Sequence, residues 1–421
     1  MNHSRHSSGP TEKHSLRQSS GTCQPDSTTS EGGTLGVFDG RGKSGEDHAL
    51  RKASGTCHPD VRKADLIQRD FSRVLVIRLS ALGDVMNVLP SLAVLRDRYP
   101  HAEITALTGP LTAGLLSQDP CVNRVLTHNR NHNPWNWLTA CASLRRERFD
   151  LVVDLQSSRY TRWLAWSTGA DVRLGTRPGP HYTDVVKLDL TGKQTAELFR
   201  DILQPIGLDR APLTRRFPQL ERCRDSAIAL LQTHSIHGRP FAVLNPGHSP
   251  AWITKRWPEE HWIELGRMFI ARDIVPIVTG SRAEAELAQR IADGIGTSAT
   301  SFAGQTDLST LGGVLSLAHV VVSTDSGPMH MAAMAGAPVV ALFGPTHPVT
   351  SGPFGEGHRV LHRRLPCSYC FKKRCPTQHE CLDQMSPAEV WSAITDVLSG
   401  CRLISRTQAP LGYASPRRSA S

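Results

Sequence analysis

A compact apolar run, VLVIRL at Val74–Leu79, ends in the polar turn SALGD and leads into VMNVLPSLAVLRDRYP, whose apolar side chains recur at helical spacing. A strand that is apolar throughout must be covered on both faces, so this strand-turn-helix unit implies a parallel sheet between layers of helix. The unit recurs. AEITALTG from Ala102 and FDLVVDLQ from Phe149 read as further strands. A polar, Pro-containing stretch between about Pro205 and Pro218 interrupts the pattern. FAVLNPG from Phe241, the amphipathic WPEEHWIELGRMFIARD, IVPIVTG from Ile274 and the helical AEAELAQRIADGI then restart it, and HVVVSTDSG, MHMAAMAGA and PVVALFG complete it. The expected architecture is α/β, with two Rossmann-like halves facing each other across a cleft.

A chain of 421 residues with a hydrophobic fraction of 39% can bury two such cores. The expected division is a disordered extension over 1–70, a first domain over 71–212, a second over 213–401 and a disordered tail over 402–421. The extension is rich in Ser, Gly, Thr and His and poor in large apolar side chains, so it cannot offset its chain entropy by burial. It contains a short repeat, SGTCQPD from Ser20 and SGTCHPD from Ser54, which reads more simply as chance similarity or non-functional duplication than as a paired Cys/His metal site. No apolar signal segment opens the sequence, and no run approaches the roughly 18 apolar residues that a spanning helix needs. A cytoplasmic protein, at most peripheral to a membrane, is expected.

The sequence carries 48 Lys+Arg against 38 Asp+Glu, a net charge of +10 that favours an anionic partner. Because open parallel sheets bind ligands beyond the carboxyl ends of their strands, the turns there carry the chemistry. In STDSGPMH, Gly327 would let backbone approach a ligand, and the first N–H groups of the helix would face a phosphate. Asp325 and Ser326 could equally serve there as helix caps. The stretch Asn245–Pro258 sets Lys255 and Arg256 on a Gly/Pro-bearing loop between Trp252 and Trp257, suited either to a second phosphate or to solvent. VTGSRAEAE offers Glu284 or Glu286 to ribose hydroxyls or simply to a helix dipole. In SALGD, Gly83 and Asp84 begin a helix, and Asp84 is a candidate general base as well as an ordinary capping residue.

Together these turns resemble glycosyltransferase family 9, the ADP-heptose:lipopolysaccharide heptosyltransferases, from about Val74 to Leu398. The pieces that carry the resemblance are RLSALGDVMNVLPSL, NPGHSPAWITKRWPEEHW and STDSGPMHMAAMAGAPVVALFGPTHP. It implies the GT-B fold and an inverting, metal-independent transfer with no cofactor. Carried onto this chain, Asp84 becomes the base that deprotonates the acceptor hydroxyl, and Lys255 stabilises the departing diphosphate. Glu284 would meet the ribose. Ser80, Gly83, Thr254, Asp325, Ser326, Gly327, Met329 and His330 would complete the donor site. The implied partners are a nucleotide-sugar donor such as ADP-heptose and a lipid-linked saccharide acceptor at the inner membrane, with no nucleic acid.

Cys367, Cys370, Cys375 and Cys381 form a cluster with one CxxC pair but no second, so packed reduced thiols are expected ahead of a structural metal. The resemblance is closest to the heptosyltransferase II type, many members of which share such a stretch. A nicotinamide-dependent oxidoreductase is disfavoured because the first strand ends in SALGD and not GxGxxG. A basic nucleic-acid-binding scaffold would require salt-sensitive binding and no role for Asp84.

Overall fold

The computed structural model describes residues 59–129, 134–247 and 251–404. The strands are β1 Arg73–Arg78, β2 Glu103–Thr108, β3 Arg124–Thr127, β4 Leu151–Asp154, β5 Val172–Gly175 and β6 Asp184–Val185, then β7 Phe241–Asn245, β8 Val275–Val278, β9 Thr300–Ser301, β10 Val320–Thr324, β11 Val339–Phe343 and β12 Arg359–His362. The first six form one parallel sheet in the order β3-β2-β1-β4-β5-β6. The last six form a second parallel sheet with the same relative order, read as β9-β8-β7-β10-β11-β12. Each sheet therefore reverses its winding once, between β1 and β4 and between β7 and β10. A parallel doubly wound sheet opens a crevice at that reversal.

The helices are α1 Pro59–Gln68, α2 Leu82–Arg98, α3 Pro110–Leu116, α4 Pro134–Arg146, α5 Thr161–Ser167, α6 Thr195–Asp201, α7 Leu220–Thr233, α8 Glu259–Ile270, α9 Ala285–Ile295, α10 Leu308–Leu317, α11 Gly327–Met334, α12 Glu380–Asp383 and α13 Pro387–Ile404. Strand side chains alternate between faces, which divides the core into layers. Val74, Val76, Ile104 and Val153 pack beneath α2, while Leu75, Ile77, Leu107 and Val152 pack beneath α4 and α5. In the second sheet Ala242, Leu244, Val278 and Val322 lie beneath α8, α9 and α13. Helices α2 and α11 pack on each other, so the α2 core layer of the first half runs on without a break into the second.

Two expected boundaries shift. Helix α1 lies inside the stretch expected to be disordered; its Leu66 is buried, and Arg98 Nη2 donates to the Ile67 carbonyl at 3.2 Å. Packing against the body of the first half supplies what the helix's sparse apolar content alone would not. Helix α13 likewise runs past residue 402 to Ile404. Residues 1–58, with the SGTC repeat, and 405–421 lie outside the described residues. No described helix is long and apolar enough to cross a membrane.

Candidate active site

The turns after β1, β7, β8 and β10 meet on one cleft of about 880 Å³. Asp84 and Gly83 line one wall; Lys255, Glu284, Asp325, Ser326, Gly327 and His330 line the other. The two helices that begin there, α2 and α11, approach so closely that neither start tolerates a side chain. A Cβ on Gly83 would sit 2.5 Å from the His330 ring, and a Cβ on Gly327 would sit 2.7 Å from the Leu82 side chain. Gly327 lines the cleft and also clears space for the opposing helix.

Asp84 sits in the first turn of α2. Its Oδ2 accepts from the backbone N–H of Ala81 at 3.2 Å and pairs with the Arg78 guanidinium, leaving Oδ1 without a hydrogen-bond partner among the described residues. Arg78 is itself held, donating to the Leu155 carbonyl at 2.8 Å and lying over the Phe199 ring. The carboxylate therefore acts as a partial cap through one oxygen while presenting the other.

On the facing wall, Lys255 ends a short turn, Ile253–Lys255. Its Nζ lies 2.7 Å from Asp325 Oδ2 and 5.0 Å from the centre of the Trp252 ring. Asp325 also accepts from Thr346 Oγ1 at 2.6 Å. A buried carboxylate occupied in this way orients the ammonium and is a poor neighbour for phosphate oxygens, so it serves the site through Lys255. Ser326 does not cap α11. Its hydroxyl is turned to Asn245 Nδ2 at 3.0 Å and Ser323 Oγ at 3.1 Å, and the first N–H groups of α11 have no side-chain cap. The start of α11 is thus open on its Ser326 side.

His330 is buried between the walls. Asn87 Nδ2 donates to the Gly83 carbonyl at 3.0 Å, which fixes the amide's orientation, and its second hydrogen reaches His330 Nδ1 at 3.2 Å. Burial is the main influence on the imidazole and lowers its pKa; Asp325 and Asp84 oppose it, and Lys255 adds to it. The ring is therefore neutral, with Nδ1 accepting and Nε2 carrying the proton.

Glu284 Oε2 accepts from the backbone N–H and the hydroxyl of Ser281, both at 2.7 Å, and the carboxylate rests so near Gly247 that a Cβ there would lie 2.6 Å from Oε1. Three expected site residues stand apart. Met329 is fully buried in the core, so its side chain cannot line the donor. Thr254 gives its hydroxyl to the Lys372 carbonyl at 2.7 Å, and Ser80 is not on the cleft wall. Arg78, Asn87, Asn245 and Thr346 were not singled out from the sequence, because each acts through a neighbour brought close only by folding.

The four cysteines line one small cavity of about 40 Å³ beside His379, with all four thiols free. Among the described residues, no group of three or more His, Cys, Asp or Glu is arranged to hold a metal ion. The loop clasps the lysine segment instead: His379 Nε2 donates to the Thr254 carbonyl at 2.8 Å, beside the Thr254–Lys372 bond.

Two doubly wound domains meeting on one cleft, with a carboxylate on one wall and a cationic, open helix start on the other, define a GT-B glycosyltransferase. The chain belongs to glycosyltransferase family 9 (heptosyltransferase), whose model matches residues 137–380. It is 27% identical over 324 residues to lipopolysaccharide heptosyltransferase 1 of Pseudomonas aeruginosa, covering 73% of this chain and 88% of that one. Against the solved ADP-heptose lipopolysaccharide heptosyltransferase II of Escherichia coli the identity is 26% and the TM-score 0.66, over 78% of this chain and 99% of that one. A family 9 structure from Veillonella parvula, at 23% identity, shares the fold with a TM-score of 0.69 over 79% and 98% of the two chains.

Proposed function

We propose that this enzyme transfers heptose from ADP-heptose to a lipid-linked lipopolysaccharide core saccharide, in one inverting displacement that needs no metal. The observation that carries the reading is the placement of Asp84 and of the Lys255–Asp325 pair on opposite walls of one cleft. The free Oδ1 of Asp84 takes the proton from the attacking hydroxyl as the new glycosidic bond forms. The bond from the anomeric carbon to the diphosphate oxygen breaks on the other side, and its negative charge falls on Lys255 and the open N–H groups of α11. His330 Nε2–H donates to a sugar or phosphate oxygen between them, and Glu284 meets the ribose. Residues 71–212 then form the acceptor half and 213–401 the nucleotide-sugar half. The enzyme works at the cytoplasmic face of the inner membrane, in peripheral contact with it. Two of the relatives named above, the lipopolysaccharide heptosyltransferases of Pseudomonas aeruginosa and Escherichia coli, support this donor and acceptor.

The donor is tested by thermal unfolding with a panel of sugar nucleotides. Ligands of the folded state raise the melting temperature in proportion to RT ln(1 + [L]/Kd). ADP-heptose is expected to protect most, ADP-hexoses less and UDP- or GDP-sugars not at all; protection by a UDP-sugar without any by ADP-heptose contradicts the assignment.

A further inference from the structure

The first half carries an exposed aromatic and cationic face that plays no part in the cleft. Helix α4 buries Leu144 and half-buries Trp137, Ala140 and Cys141 against the sheet, and its opposite side carries Trp135, Leu138, Ala142 and Arg145 at helical spacing. Beside it, α5 exposes Trp163 and Trp166, whose rings meet edge to face at 5.9 Å. Exposures of 72% for Trp135, 49% for Leu138, 40% for Trp163 and 51% for Trp166 are unusual for side chains of this size on a water-soluble surface. A shallow pocket of about 540 Å³ joins the helices, walled by Cys141, Ala142 and Trp166, with Arg145 and Arg173 among the residues around it.

Charge on the two helices has one sign. Neither α4 nor α5 contains a carboxylate. The acids nearby in sequence are engaged elsewhere: Glu147 with Arg124 and Arg73, Asp150 with the backbone of Ser72 and Arg73, Asp154 with the Tyr182 hydroxyl, and Asp171 with Arg69. Arg145, Arg146, Arg148 and Arg159 have no carboxylate partner among the described residues. Tryptophan favours the headgroup level of a bilayer, and arginine near an anionic leaflet adds attraction that salt screens.

We propose that the outer face of α4 and α5 docks the enzyme onto an anionic lipid bilayer, Trp135, Leu138, Trp163 and Trp166 entering the interface while Arg145 and Arg146 meet lipid phosphates. Crossover helices of a parallel sheet run back from its carboxyl edge. The starts of α4 and α5, with Trp135 and Trp163, thus lie at the edge of the sheet from which α2 presents Asp84. The inference rests on the proposed lipid-linked acceptor and deepens it: the docking face brings the acceptor half to the surface in which that acceptor is anchored.

The test is co-sedimentation with vesicles of phosphatidylcholine alone and of an equimolar mixture with phosphatidylglycerol, neither containing acceptor. The native chain should pellet with the mixed vesicles, remain in solution with pure phosphatidylcholine and be released by salt. Trp135→Ser/Leu138→Ser/Trp166→Ser and, separately, Arg145→Glu/Arg146→Glu should each lower the bound fraction about tenfold. Melting temperature and turnover on a delipidated, water-soluble acceptor should stay at native values. The proposal is overturned if both variants bind as the native chain does, or if the native chain binds the two vesicle types equally. It is also overturned if the native chain is a dimer that the triple variant converts to monomer, which would make the face a contact between copies. Absence of turnover on the soluble acceptor would count against the proposed reaction and leave the vesicle result standing.

Discussion

Lys255 illustrates how little of a side chain's role lies in its own identity. A Lys-Arg pair on a loop is most often solvated, yet here Lys255 is fixed by Asp325 Oδ2 at 2.7 Å, by the Trp252 ring and, through the neighbouring Thr254, by the cysteine loop. An ammonium held in place loses little freedom when a diphosphate arrives. Lys255→Ala should weaken ADP binding about tenfold, or about 1.4 kcal/mol, and lower turnover with it. Titration calorimetry and steady-state kinetics check this, and unchanged constants would remove the residue from the site. The residues legible in the sequence, Asp84, Lys255, Asp325 and His330, stand on motif turns at strand ends. Those not legible, Arg78, Asn87 and Thr346, owe their place to contacts across 6, 243 and 21 positions of sequence, which no local pattern encodes.

At the scale of elements, the strands found by pattern are the central ones. β1, β4, β7, β10 and β11 are covered on both faces and read as apolar runs. β3 and β12 lie at sheet edges with partly exposed residues, and β6 and β9 have two residues each, so their apolar signal is too weak to read. The helix starts of α2 and α11 were legible as ligand turns, but not as partners of each other. Gly327→Ala tests that pairing. A Cβ 2.7 Å from Leu82 must push α11 off α2, at a cost of roughly 1–3 kcal/mol of stability, with loss of transfer activity as the walls separate. Urea unfolding and a transfer assay measure the two effects; native values for both would show that the helices have room to spare.

At the scale of the whole molecule, the two halves are tied at several points beside the cleft. Thr195 donates to the Thr350 carbonyl, Gln118 to Ser309, and Arg216 in the connecting segment pairs with the fully buried Asp119 at 2.8 Å. Arg216→Ala leaves that carboxylate without its partner and should cost about 3–5 kcal/mol; a loss under about 1 kcal/mol by urea unfolding would mean that water replaces the guanidinium. Such ties hold the two cleft walls in register, and register is what lets a base on one half and a cation on the other act on one bond. The measurement that bears most directly on this is the single-turnover transfer rate of Asp84→Asn, taken together with its ADP affinity. The rate should fall by roughly 10²–10⁴-fold while ADP binding stays within about twofold of native, because the lost group serves proton transfer on the acceptor side alone. A near-native rate would contradict the assignment of Asp84 as the base and, with it, the two-walled site.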